Sequence, residues 1–130
     1  MSTTGSPKVL IIEDDQFLQS LAKQKLASEG FTTVAAMDGE RGALLAEKEL
    51  PDVILLDILL PGIDGFEVLR RIRANALLAK APVFMLSNYS QPEDVERAKS
   101  LGADQFLIKA DYTLDQIAAM IKERLIQQPN

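Results

Sequence analysis

An α/β fold, with a parallel sheet held between layers of helices, follows from the alternation in this chain. Apolar runs of strand length recur five times, each followed by a stretch of helical periodicity, and the connections are short. The runs are nearly continuous in Val, Ile and Leu, as strands buried on both faces of a parallel sheet are.

The elements read in order. Residues 8–12 form the first strand, and 16–29 a helix stopped by Gly30. Residues 31–36 form the second strand and 39–48 a helix weakened by Gly42, with Pro51 as its stop. Residues 52–56 are the third strand, and 64–74 a helix with Leu69, Ile72 and Ala76 on one face. Residues 82–86 are the fourth strand. Ser90 and Glu93 make a capping-box pattern that opens a helix to Leu101, and Gly102 ends it. Residues 105–108 are the fifth strand, and 113–126 a last helix with Leu114, Ile117, Ala118, Ile121 and Leu125 at helical spacing. Right-handed crossovers leave few topologies for five such units. The natural one is a three-layer, flavodoxin-like (βα)5 doubly wound sheet of five parallel strands in the order 2-1-3-4-5. Residues 1–7 are expected to be a disordered segment, 8–126 the domain, and 127–130 a polar tail.

Composition narrows the function. The chain has 130 residues, enough for one domain with a real core, with 47% hydrophobic residues and a net charge of −5. That charge argues against nucleic-acid binding by electrostatics. Cysteine and histidine are both absent, which removes disulfides, thiolate metal sites and the commonest general base. The apolar runs are too short to span a bilayer and no signal-peptide core precedes them, so a cytoplasmic home is expected.

The chemistry gathers at one edge. Val53-Ile54-Leu55-Leu56 runs into Asp57, Val9-Leu10-Ile11-Ile12 into Glu13-Asp14-Asp15, and Phe106-Leu107-Ile108 into Lys109. In an open parallel sheet the carboxyl ends of the strands line one edge, where ligands bind. With the first and third strands adjacent, Asp14, Asp15 and Asp57 meet, and carboxylates crowded together call for a divalent cation. Taken singly, Asp14 or Asp15 reads as a helix N-cap, Asp57 as a loop acid, Ser87 as a loop serine and Lys109 as a solvated lysine. Their joint placement at strand ends makes a site. Arg70, Arg71 and Arg73 read as a solvated helix face, and Gly62 and Gly65 as turn residues after Asp57.

In these residues the chain resembles the receiver domain of two-component response regulators, the CheY-like family, from Lys8 to Ile126. The matching residues are Glu13-Asp14-Asp15, Asp57, Leu60-Pro61-Gly62-Ile63-Asp64-Gly65, Ser87, Phe106 and Lys109. The resemblance implies Asp57 as phosphoacceptor, with Asp14, Asp15, Asp57 and the backbone carbonyl of Leu59 binding Mg2+. It implies Ser87 holding a phosphoryl oxygen, Lys109 pairing with the phosphoryl group, and Ser87 with Phe106 as the switch. Phe106 has no hydroxyl to reward a solvent-facing rotamer, so its ring is expected to lie inward.

The implied function is a phosphorelay step, not turnover of an external substrate. A sensor histidine kinase or histidine phosphotransfer protein would donate to Asp57, and the α4-β5-α5 surface would then signal to a downstream protein target. Self-catalysed transfer and autodephosphorylation would accompany it, with no direct role for nucleic acid or membrane. The chain departs from the family pattern in three places: Ala110 follows Lys109 where proline after a cis bond is usual, Asn88 replaces a small residue, and Leu59 replaces a polar one. A non-phosphorylated pseudo-receiver that acts as an interaction module is the alternative, and the retained acids and lysine speak against it. A haloacid-dehalogenase-type phosphatase would need an acid where Leu59 stands.

Overall fold

The computed structural model describes residues 6–88 and 91–127. The strands are β1 (Lys8–Ile12), β2 (Thr32–Ala36), β3 (Val53–Asp57), β4 (Val83–Ser87) and β5 (Gln105–Ile108). The helices are α1 (Gln16–Ser28), α2 (Gly39–Glu49), α3 (Gly65–Ala74), α4 (Pro92–Ser100) and α5 (Leu114–Ile126). All strand pairings are parallel and the order is 2-1-3-4-5, the expected topology.

Side-chain alternation on the strands divides the core in two. Leu10, Ile12, Ile54, Leu56, Val83 and Met85 face α2, α3 and α4, where Ala46, Leu69, Ile72 and Ala98 meet them. Val9, Ile11, Val53, Leu55, Phe84 and Leu107 face α1 and α5, packing on Ala22, Leu26, Ile117, Ala118 and Ile121. Each such aliphatic side chain, fully buried, contributes about 2 kcal/mol. The two layers therefore hold β1, β3 and β4 rigidly, and their carboxyl ends with them.

Caps fix where the helices begin. Asp15, Asp38 and Asp64 accept from the backbone N–H of Leu18, Arg41 and Glu67, and Thr113 forms a full capping box with Gln116. The Ser90 half of the capping box expected for α4 lies outside the described residues. Within them α4 opens on Gln91, which makes no side-chain cap, with Pro92 in the first turn. This helix buries only Ala98 fully, and Arg97 sits 4.3 Å above the ring of Phe66.

Three expectations need correction. Ala76 does not extend the buried face of α3. The helix ends at Ala74, the extended backbone of Asn75 turns the chain, and Leu78, 1% exposed, fills that place in the core. Arg70 and Arg71 pair with Glu67 and Glu40 at the surface, but Arg73 does not belong to a solvated face. Its guanidinium donates to the carbonyls of Gly102 and Leu78 and to Asp104, tying α3 to the entry of β5. Asp57 and Ser87, placed beyond their strands by sequence, are the last residues of β3 and β4.

Candidate functional site

Register alone assembles the edge. Ile12 stands opposite Leu56, so Glu13 and Asp57 emerge side by side. Asp57 stands opposite Leu86, and Ser87 opposite Ile108, which precedes Lys109. Four strand ends thus present an acid, an acid, a hydroxyl and an ammonium in one row.

Lys109 is the centre of the resulting network. Its Nζ donates to Oε1 of Glu13 at 2.7 Å and to Oδ2 of Asp57 at 3.0 Å. Glu13 and Asp57 are buried, at 6% and 7% exposure. Burial works to lower the Lys109 pKa, but the hydrogen bond to Glu13 and the charge of Asp57 outweigh it and hold the ammonium above its usual range. Carboxylate oxygens of Glu13, Asp14 and Asp57 lie within 4.8 Å of one another. One ammonium against three carboxylates leaves the edge net negative. An all-oxygen donor set with uncompensated charge fits a hard divalent cation such as magnesium. These residues and Asp15, Leu18, Leu59 and Asn88 line a cleft of about 360 Å³ open to solvent.

Asp15, expected among the ligands, caps α1. Its Oδ1 accepts from Leu18 N–H at 3.1 Å as the cap of α1, and its own N–H donates to Oε2 of Glu13. The acids that meet Asp57 are Glu13 and Asp14, one position earlier. Leu59 borders the cleft and is 58% exposed. Ser87 is buried at the end of β4, beside exposed Asn88. Phe106, opposite Met85, is partly buried and packs against the cluster of β4 and α3. The Lys109–Ala110 bond is not cis, and Lys109–Asp111 form a 3-10 turn that leads into α5.

Two features escaped the sequence reading. Gly62 has φ +78 and serves the turn after Asp57, but Gly65 does not. A Cβ on Gly65 would lie 2.3 Å from the Asp57 carbonyl oxygen and 2.8 Å from Ile58 Cα, so α3 presses its first residue onto the end of β3. Gly65 N–H also donates to Ile58 O at 2.8 Å, which fixes that contact. The second feature is Gln19, buried in α1, whose amide reaches the end of β1.

The family model of the response regulator receiver domain matches residues 9–122. The chain belongs to this family. As a receiver domain it is a signalling module of two-component systems and not a conventional enzyme. It is 35% identical over 119 residues to the DNA-binding dual master transcriptional regulator RpaA of Synechocystis sp., covering 92% of this chain and 49% of that protein. It is 39% identical over 122 residues to the nitrate/nitrite response regulator NarL of Escherichia coli, covering 92% of this chain and 56% of that one. The chain thus spans about half the length of these curated relatives. Among solved structures, a CheY-like receiver domain protein of Methanospirillum hungatei superposes with TM-score 0.88 at 27% identity, covering 95% of this chain and 96% of that one. The phosphorylated cyanobacterial phytochrome response regulator RcpA superposes with TM-score 0.79 at 26% identity, covering 97% and 98%. No helix among the described residues of this receiver domain is long and apolar enough to cross a membrane.

Proposed function

We propose that this receiver domain takes a phosphoryl group onto Asp57 from a phosphohistidine of a sensor histidine kinase or histidine phosphotransfer protein, in the cytoplasm. The observation that carries the reading is the contact of one ammonium, Lys109, with both Asp57 and Glu13 at the carboxyl-end edge of the sheet. An Asp57 carboxylate oxygen attacks phosphorus as the P–N bond breaks, and the electron pair of that bond leaves with the imidazole. Lys109 then exchanges a carboxylate partner for a phosphoryl oxygen, and the Ser87 hydroxyl donates to another.

Glu13, Asp14 and Asp57, with the Leu59 carbonyl, would hold magnesium. The ion would neutralise charge on the phosphoryl oxygens. Asp15 keeps its cap. Ser87 moves toward the phosphoryl group and draws its loop with it, and Phe106 follows into the space beneath. The surface of α4, β5 and α5 changes shape and is read by a downstream protein. Water attack on the aspartyl phosphate, within the same site, resets the domain.

Incubation with acetyl phosphate and Mg2+, followed by intact-mass measurement, tests the reading. The expected result is a gain of one phosphoryl group, lost with EDTA and absent in Asp57→Asn. A protein that gains none is a pseudo-receiver, and the proposal fails.

A further inference from the structure

Gln19 is 9% exposed and one of few polar side chains among the buried residues. It stands on the inward face of α1, one turn before Ala22 and two before Leu26, both apolar and buried. Both hydrogens of its amide are committed to backbone. Nε2 donates to the carbonyl of Glu13 at 3.1 Å and to the carbonyl of Ala36, the last residue of β2, at 3.0 Å. The Ala36 carbonyl also accepts from Glu13 N–H at 3.1 Å. The main chain of Glu13 is therefore gripped at both ends, its N–H by β2 and its C=O by α1.

The consequence lies in the peptide that joins Glu13 to Asp14. Its carbonyl is the one Gln19 holds, and its two flanking Cα atoms carry two of the three clustered carboxylates. A shift of that peptide unit would carry both Cα atoms, and so both side chains, with it. Magnesium tolerates little departure from octahedral geometry, and residues that orient its ligands change affinity by about 10–100-fold when removed. An apolar residue would bury equally well on this face of α1. It would leave the Glu13 carbonyl with no side-chain donor.

We infer that Gln19 is a positioning residue for the acid pair: by holding the Glu13 carbonyl it sets the direction of the Glu13 and Asp14 carboxylates and so the affinity of the site for a divalent cation. This rests on the reading of the acid cluster as a magnesium site. Gln19 touches neither the cation nor the phosphoryl group. Its effect appears in the Mg2+ concentration the reaction needs and not in the rate at saturation.

The test is a Mg2+ titration of the full chain by calorimetry, with wild type, Asp57→Asn and Gln19→Met, a change that keeps length and removes the donor. Wild type should bind, Asp57→Asn should lose affinity, and Gln19→Met should bind about 10-fold more weakly. Phosphorylation of Gln19→Met by acetyl phosphate should recover at high Mg2+. A Gln19→Met protein that melts lower but binds Mg2+ as wild type does would make Gln19 merely structural and overturn the inference. A wild type that binds no Mg2+ would overturn the metal reading and this inference together. Should Gln19→Met not fold, the side-chain amide signals of Gln19 in the wild-type NMR spectrum decide. They should shift with Mg2+ at the midpoint shown by the Asp14 backbone amide, and signals that stay fixed would overturn the inference.

Discussion

Lys109 donates to Oε1 of Glu13 at 2.7 Å across 96 residues of sequence, and this bond joins the first strand end to the last. It is a charge-assisted hydrogen bond in a mostly buried setting, with Glu13 also held by the N–H of Asp15. Through its second bond, to Asp57, the same ammonium offsets part of the repulsion that the acid cluster would otherwise carry.

Removal of that ammonium should therefore be costly in metal-free protein. Lys109→Met leaves the buried carboxyls of Glu13 and Asp57 close together and without their cation, and should lower stability by about 2 kcal/mol in urea unfolding with EDTA present. Adding Asp57→Asn to Lys109→Met should recover part of the loss, because one of the stranded charges is gone. A double variant no more stable than Lys109→Met would show that the two side chains are not coupled.

The three consecutive acids should separate by role. Glu13→Gln and Asp14→Asn should each weaken Mg2+ binding by about 10-fold or more, the loss expected of a removed carboxylate ligand. Asp15→Asn should bind Mg2+ nearly as wild type does, since asparagine caps well. Asp15→Ala should cost about 1 kcal/mol of stability through the lost cap. Mg2+ titrations and melts of the four variants check this assignment.

Not all of this was equally legible in the sequence. Strands were legible because Val9 to Ile12 and Val53 to Leu56 are continuous apolar runs that fit only a doubly covered sheet. Strand order followed from crossover handedness, and the row of strand ends followed from the order. The phase within Glu13-Asp14-Asp15 was harder, because three acids in succession at a strand-to-helix junction carry no periodicity. A signal was present: Asp15 directly precedes the helical pattern, the same position from which Asp38 and Asp64 cap their helices. The close approach of Gly65 to Asp57 is invisible in sequence, since it arises from the packing angle of α3 against β3. The substitution of Leu78 for Ala76 in the core follows from the extended turn at Asn75, which periodicity cannot foresee.

Gly65 offers a direct check on that packing. In Gly65→Ala the new Cβ would overlap backbone at Asp57 and Ile58, and neither can yield cheaply. The variant should lose about 3 kcal/mol in urea unfolding, and its Mg2+ affinity should fall because Asp57 is displaced. An alanine tolerated without loss would mean that α3 is free to slide on β3.

Acid should reach the α2–α3 surface late. Hydrogen bonds from Arg70 and Arg71 hold the Glu67 carboxyl at a pKa of about 2, below its ordinary 4.5. A depressed folded pKa gives stability that is present above the unfolded value and lost as pH falls through 4.5 toward 2. An NMR titration of the Glu67 side-chain carboxyl should show it still ionised at pH 3.5, with the shift reduced by salt because the pair is at the surface. Titration at the ordinary value in low salt would remove the Glu67 bridges from the description of this face.

Asp57 should form an acyl phosphate. Borohydride reduces an aspartyl phosphate to homoserine, so acetyl phosphate treatment with Mg2+, reduction and peptide mass mapping marks the acceptor position. Homoserine should appear at position 57 alone, in a Mg2+-dependent yield that falls when Lys109 or Asp14 is substituted. Homoserine at position 14, 15 or 64, or none at position 57 with Mg2+ present, would contradict it.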